Sequence, residues 1–403
     1  MKLLLINPKS KAQDALPIPP LGILYLAAYV RDIADVEVID DNRERHRNLE
    51  SRIRNADIIG LTGTTSQYSE ACKLAELARK HNKMVIYGGS HASALPVESL
   101  EYMDKVVVGE GEVALRDILL DGGNKIARKP FIKDLDTLPF PARDLVPIKD
   151  YPTRELKRFE GAYTHMMTGR GCNSKCVFCS SPQMWKRPRL MSAKRVFAEM
   201  MEIYEKYGIK NIHFQDDTFT LSQKRVIELC HLIEGSGVDF KWSCQTRPDM
   251  VYGNLGLLEQ MANAGCVQIE FGVESGDERL LKTARKGYTK EDIKAAFYLA
   301  RQSGIKTYGF FIIGLPGETI ITWLKSIWFA LRLKTESVWT VLMPYPGTAV
   351  YNQVKVLDTD YSNWMYKKPI IKSGYLSPRM LSTMRYIADK ITNGLFNKGT
   401  YAS

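Results

Sequence analysis

The feature that most restricts how this chain can fold is an alternation, repeated in two trains, of short apolar runs with helix-length amphipathic segments. In the first train the runs are Lys2–Asn7, Val36–Asp40, Asp57–Gly63, Met84–Gly88 and Lys105–Gly109, with helical periodicity over Leu21–Arg31, Tyr68–His81 and Glu112–Leu120. This order suits parallel strands covered on both faces. Residues 1–133 are therefore expected to form an α/β domain of the doubly wound, flavodoxin-like or Rossmann-like kind, with any ligand at the carboxyl ends of its strands. The second train has runs at Tyr163–Thr168, Asn211–Gln215, Phe240–Gln245, Gln268–Val273, Thr307–Ile313 and Ser337–Met343. Helices fit between them at Ala193–Tyr207, Gln223–Gly235, Asn254–Ala264, Lys290–Ser303 and Ile320–Leu331. Such units predict a partial (β/α)6 barrel over residues 160–350, with its active site at the carboxyl ends of the strands. Residues 134–159 lack helical periodicity and carry Pro139, Pro141, Pro147 and Pro152, with Pro130 just upstream, which reads as a linker. The weaker periodicity of residues 351–403 predicts a short, mainly helical tail.

Several classes are disfavoured at this level. The apolar start at Met1–Ile6 is too short for a signal peptide and reads as a strand. No apolar run reaches the roughly 18 residues of a spanning helix; even the stretch Trp323–Met343 is broken by Lys325, Arg332, Lys334 and Glu336. The expectation is a cytoplasmic protein without a membrane span. The net charge of +11 favours anionic partners in principle, yet the basic groups at Arg43–Arg54, Lys186–Arg189 and Lys367–Lys372 carry no interleaved aromatic residues. They read as solvated surface, and a nucleic-acid partner is not expected. Seven cysteines, an odd number, argue for reduced thiols.

Three of those cysteines, Cys172, Cys176 and Cys179, form a CxxxCxxC segment just after a predicted strand. Three thiolates on one loop can ligate three irons of a 4Fe-4S cluster and leave the fourth iron open to a substrate or cofactor. A zinc site or buried structural cysteines are the alternatives. Zinc, however, asks for a fourth ligand, and His165 on the preceding strand lacks a finger-like spacing. Cys72, Cys230, Cys244 and Cys266 are isolated and read as small buried residues, so only one cluster is expected.

The cysteine spacing, with Phe178 before the last cysteine, resembles the radical S-adenosylmethionine (SAM) superfamily. In that family the open iron is chelated by the amino and carboxylate groups of SAM, whose reductive cleavage yields a radical that abstracts hydrogen from the substrate. The resemblance implies SAM contacts at Phe178 and at further strand ends. Asp216 and Asp217 end the second barrel strand, where the family contacts the SAM ammonium; an aspartate pair capping the next helix is the plainer reading. Glu274 and Ser275 end the fourth strand, where ribose and carboxylate are met. Gly314 and Glu318 lie in the GxIxGxxE-like Gly309–Glu318, where backbone groups contact adenine. Arg247 could reach the SAM carboxylate or a substrate anion, or form a surface salt bridge. Glu270, alternating with Gly272 and Glu274, could point into the barrel toward cofactor or substrate.

The first domain resembles the cobalamin-binding domain of B12-dependent radical SAM enzymes. The resemblance rests on Pro19-Pro20-Leu21-Gly22, on Gly60–Ser66 with Thr62, Gly63 and Thr64, on Gly88-Gly89-Ser90-His91-Ala92, and on Val108–Glu112 with Glu110 and Gly111. Glycines and small hydroxyl residues at strand ends let backbone approach a large planar ligand. The DxHxxG pattern that supplies a cobalt ligand in many cobalamin proteins is absent, since the turn after the second strand reads Asp40-Asp41-Asn42-Arg43-Glu44-Arg45. No histidine from that turn is expected on cobalt. Taken together, the resemblance implies a cobalamin-dependent C-methyltransferase that draws electrons from an external donor such as flavodoxin or ferredoxin. Its competitors are a non-methylating cyclase or rearrangement enzyme, an RNA-modifying enzyme, and a non-catalytic cofactor-binding protein. No motif identifies the substrate.

Overall fold

The structure is a computed structural model, and it describes residues 1–10, 18–43, 48–151 and 159–394. Glu44, Arg45, Pro152 and the end of the tail therefore lie outside the described residues. Two compact units form, Met1–Pro152 with Thr359–Trp364, and Thr153–Asp358 with Met365–Ser403.

In the first unit the strands are β1 (Lys2–Asn7), β2 (Asp35–Asp40), β3 (Ile58–Thr62), β4 (Met84–Gly88), β5 (Lys105–Val108) and β6 (Ile126–Arg128). They form a parallel sheet in the order β2-β1-β3-β4-β5-β6, so the chain reverses direction between β1 and β3. Side chains of β1 leave alternately to both faces. Leu3 and Leu5 pack with Ile23 and Ala27 of α1 (Leu21–Val30) and Leu115 and Ile118 of the helix Glu112–Asp121. Leu4 and Ile6 pack with Ile53 of α2 (Leu49–Asn55) and Ala71 and Ala75 of α3 (Tyr68–Lys80). That two-sided burial is why the run Leu3–Ile6 has no polar alternation. The sixth strand and α2 exceed what the sequence predicts. One has three residues, and the other buries only Leu49 and Ile53, so neither carries a visible period. The described part of the proline-rich stretch read as a linker, residues 134–151, is folded: Ala142, Val146 and Tyr151 join the core beside α1, and the Ala142 N–H donates to the Leu24 carbonyl at 3.0 Å. Proline bars a regular helix there but not burial.

The helix α4 (Ser90–Ala94) follows β4, and α5 denotes Glu112–Asp121. In the second unit, β7 (Tyr163–Met166), β8 (Asn211–Phe214), β9 (Lys241–Thr246), β10 (Cys266–Glu274), β11 (Lys306–Ile313) and β12 (Glu336–Val341) pair in parallel with sequential neighbours. Between them lie α6 (Ala193–Tyr207), α7 (Gln223–Gly235), α8 (Leu255–Asn263), α9 (Glu278–Thr283), α10 (Lys290–Gln302) and α11 (Ile320–Leu333). This is the expected open (β/α)6 arrangement. Caps mark the helix starts: Ser192, Ser222 and Asn254 side chains accept from the N–H of Arg195, Arg225 and Leu257. The tail is only partly helical. A short antiparallel pair, Lys355–Val356 with Ile371–Lys372, precedes α12 (Pro378–Gly394).

The sheet of the second unit has unlike faces. Outward, Phe271 meets Phe297 of α10, with ring centroids 4.9 Å apart, and the indole N–H of Trp339 donates to Thr392 of α12 at 2.9 Å. Inward, Tyr308, Phe310 and Ile312 are partly exposed while Thr307, Gly309, Phe311 and Ile313 are buried. The inner face is thus the one that solvent reaches.

Candidate active site

The Cys172–Cys179 loop leaves the carboxyl end of β7 and is tied down along its length. The Val177 N–H donates to the Ala284 carbonyl at 3.2 Å, and its carbonyl accepts from Val350 at 3.0 Å. The Cys179 N–H turns back to the Cys176 carbonyl at 3.2 Å. All three thiols are free, and each has a polar neighbour. Cys172 Sγ lies 3.3 Å from Thr218 Oγ1, Cys176 Sγ 3.1 Å from Ser174 Oγ, and Cys179 Sγ accepts from the Ser181 N–H at 3.4 Å. Among the described residues, no group of His, Cys, Asp or Glu converges closely enough to hold a single metal ion. Three thiols on one loop can each take a separate iron of a 4Fe-4S cluster. Burial pushes the Cys179 thiol up to about 12, with Asp217 adding to the effect and Lys286 opposing it.

The end of β8 divides its work among three residues. Asp216 turns inward: it accepts from the Thr168 N–H at 2.6 Å and from the Thr168 hydroxyl, and Arg225 lies 3.8 Å away. Arg225 in turn donates to the carbonyls of Thr168 and Phe219, each at 2.9 Å. The Asp216 carboxylate is buried and ties the segment after β7 to the end of β8. Asp217 is exposed and accepts from Ser181 at 2.6 Å. Thr218 faces Cys172.

At the end of β10 the pairing with β11 skips a residue, Gly272 opposing Phe310 and Glu274 opposing Phe311. Glu274 sits at φ 65° in the left-handed region, which re-aims its carboxylate. That carboxylate meets Lys286 Nζ at 2.9 Å, with both side chains buried. Burial works against the Lys286 charge, but Glu274, with Tyr288 and Cys176, outweighs it and holds the ammonium well above its ordinary range. The same ammonium lies over the rings of Phe178, at 5.5 Å, and Tyr288, at 5.2 Å. Ser275 does not join this group. It is fully buried, its hydroxyl 3.3 Å from that of Ser326 and accepting from the Asp277 N–H at 3.2 Å, so it fastens the start of α9 instead of presenting a hydroxyl to a ligand.

Arg247 is half-buried, and its guanidinium is held on several sides. It grips Asp249 with two bonds of 2.9 and 2.7 Å, donates to the Lys286 carbonyl at 2.8 Å and bonds Ser174 of the cysteine loop. Glu270 faces the interior beside Gln268, which donates to it at 3.0 Å, and Tyr308 donates to Glu336 at 2.5 Å in the same layer. Gly314 adopts φ 92°, and a side chain there would press on Leu381 of α12 at 3.2 Å. Its N–H donates to Glu318, whose buried carboxyl is pushed up to about 8. The glycine and the glutamate therefore form one turn, closed on itself. Ser174 and Thr218 lie within segments that the sequence singles out, but which of their residues meets a thiol depends on the fold, and Ser181, Lys286 and Tyr288 are brought in from segments with no motif of their own.

In the first unit the strand order reverses between β1 and β3, and at such a point a doubly wound sheet can form a ligand crevice beyond the carboxyl ends of its strands. Thr62 ends β3 and Gly63 and Thr64 follow it, while Gly88 ends β4 and Gly89 and Ser90 follow it. Gly89 has φ 103°, and a Cβ on it would stand 2.8 Å from the Gly63 carbonyl. These two loops thus touch through bare backbone. Thr64, in contrast, is exposed. A polar net closes the floor: Gln67 donates to Asn7 at 3.0 Å and to the Pro8 carbonyl at 2.6 Å, and Asn7 donates to Asp40 at 2.9 Å. His91 lies apart from it, contrary to expectation. It is fully buried, stacked on Tyr68 at 4.0 Å and edge-on to Tyr361 at 5.0 Å, and burial lowers its pKa to about 4. Glu110 accepts from the Ile132 N–H at 2.7 Å, and Gly111 packs on Leu26, so both serve the fold around α5.

The sequence pattern of the radical SAM superfamily matches residues 166–329, and that of the B12 binding domain matches residues 12–119. An uncharacterized methyltransferase of Pyrococcus horikoshii is 31% identical over 95% of this chain and 90% of its own length. An anaerobic magnesium-protoporphyrin IX monomethyl ester cyclase of Cereibacter sphaeroides is 26% identical, covering 92% and 67%. The radical SAM methyltransferase TsrM of Kitasatospora setae, solved with cobalamin and a [4Fe-4S] cluster, shares the fold at a TM-score of 0.70 and 20% identity, over 95% of this chain and 85% of that one.

Proposed function

Because this chain belongs to the radical SAM superfamily, in the group that also carries a B12-binding domain, we propose that it methylates an unactivated carbon of its substrate. A bound 4Fe-4S cluster supplies the electron that cleaves SAM, and a bound corrinoid carries the methyl group. Cys172, Cys176 and Cys179 hold the one cluster, and Phe178 flanks SAM with the Lys286 ammonium behind its ring. Asp217 meets the SAM ammonium, while Asp216 positions that strand end through Thr168. The Glu274–Lys286 pair lies on the ribose and carboxylate side, and the Gly314 turn meets adenine through its backbone. Arg247 positions the cysteine loop. Glu270, with Tyr308 and Glu336, orients a polar group of the substrate inside the sheet. Thr62, Gly63, Thr64, Gly88 and Ser90 line the corrinoid crevice. A low-potential donor such as flavodoxin or ferredoxin, in the cytoplasm, completes the reaction.

The observation that carries this reading is the fastening of three free thiols at the carboxyl end of a (β/α)6 sheet, in a chain that also holds a glycine-lined switch point. The cyclase relative favours a second outcome, hydrogen abstraction followed by ring formation. Anaerobic reconstitution with iron, sulfide and hydroxocobalamin tests both. The expected product carries about four irons and one corrinoid per chain and cleaves SAM when reduced. Replacing Cys172, Cys176 and Cys179 by Ala should remove the iron and leave the corrinoid. SAM cleavage without retained corrinoid would favour the second outcome, and iron retained in the triple variant would overturn the cluster assignment.

A further inference from the structure

Helix α11 contains no acidic residue, and its apolar residues run all the way around it. One side is accounted for: Trp323, Ile327, Ala330 and Leu333 are buried. On the other, Ile321 is 68%, Leu324 51% and Trp328 53% exposed, at the i, i+3, i+7 spacing that forms one stripe. Two basic residues adjoin the stripe, one of them in an ion pair. Arg332 lies over the Trp328 ring at 4.2 Å, and Lys325 stands one residue from Leu324, paired at 2.8 Å with Asp277. Half-exposed Tyr375 adjoins the start of the helix, where its hydroxyl accepts from the Ile320 N–H at 3.0 Å. A solvated helix face ordinarily carries mixed charge and few large apolar residues.

We propose that this face of α11 docks the protein on the surface of an anionic lipid bilayer. An apolar stripe that ends in Trp and Tyr and is edged by Lys and Arg matches the depth profile of that surface. Chains at the acyl boundary take Ile and Leu, the interface takes the amphipathic rings, and the basic ends reach anionic headgroups. The absence of acidic residues from the helix fits an anionic occupant. No helix among the described residues is long and apolar enough to cross a membrane, so the contact is peripheral. The inference is independent of the reaction proposed above.

The test is sedimentation of the full-length protein with vesicles of phosphatidylcholine alone and with about 30 mol% phosphatidylglycerol. The anionic vesicles should bind at least about tenfold more protein, less so at high salt, and the tryptophan emission should shift to the blue, a shift that is lost on removing Trp328. The exposed-site variant Ile321→Ser/Leu324→Ser/Trp328→Ser should lose about tenfold in binding while keeping its circular dichroism, and Arg332→Glu should weaken binding on its own. Equal binding to both vesicles, no binding, or an unaffected triple variant would overturn the proposal. So would a wild-type dimer in light scattering that the triple variant abolishes, which would assign the stripe to a second copy.

Discussion

Lys286 Nζ stands 2.9 Å from Glu274 Oε1, and this buried pair joins the end of β10 to the segment after α9, directly behind Phe178 of the cysteine loop. A Cβ on Gly272 would come within 2.6 Å of the same carboxylate, so the strand end has been cleared for it. The bulge that puts Glu274 at φ 65° is strain placed where two loops have to meet.

Removing one partner of such a pair leaves a buried charge. Lys286→Met should cost about 3–5 kcal/mol, read as a lowered calorimetric transition of the iron-free protein. The double variant Glu274→Gln/Lys286→Met should recover part of that loss. A Lys286→Met protein as stable as wild type would show that the pair is solvated.

Arg247 predicts a different readout. Its guanidinium joins Asp249, the Lys286 carbonyl and Ser174 of the cysteine loop, a geometry that an ammonium cannot match. Arg247→Lys should retain the cluster on purification yet lose its visible absorbance severalfold faster to an iron chelator. Equal rates would mean that the loop is held without Arg247.

How much of this was legible in the sequence follows from how local each signal is. The cysteine spacing and the strand and helix trains depend on neighbours in sequence, and caps such as Ser192 and Ser222 fix where helices begin. Which of Asp216 and Asp217 faces a ligand depends on Thr168 and Arg225, which belong to other elements. The pairing of Glu274 with Lys286 depends on where α9 ends. His91 sits in a glycine-rich strand-end motif that suggests a ligand site, but Tyr68 and Tyr361, remote in sequence, enclose it.

The corrinoid crevice should be probed at Thr64, because Gly89 is unsuited to the purpose. Any side chain at Gly89 meets the Gly63 backbone and the left-handed φ, so Gly89→Trp would disturb the loops whatever they bind. Thr64 has φ −80° and is exposed. Thr64→Trp should abolish corrinoid retention through gel filtration while costing only about 1 kcal/mol for the lost hydroxyl bond to Gln67, a cost that Thr64→Ala measures separately. Full retention by Thr64→Trp would remove this crevice as the corrinoid site.

Glu318 gives a pH signature to the turn it closes. Burial raises its carboxyl from 4.5 to about 8, the Gly314 N–H opposing only in part. A carboxyl raised in the folded state favours folding in its protonated form. Its contribution is therefore full below about pH 4.5 and is lost as pH rises toward 8. Glu318→Gln keeps an oxygen acceptor for Gly314 and cannot ionise. The variant should gain on wild type as pH increases between those limits, by at most about 1.4 kcal/mol per pH unit, and the gap should level off above them. Thermal melts of the two proteins across that range check the expectation. Curves that run parallel would mean that Glu318 is already charged in the fold, in which case a cation or water must reach the turn that Gly314 and α12 enclose.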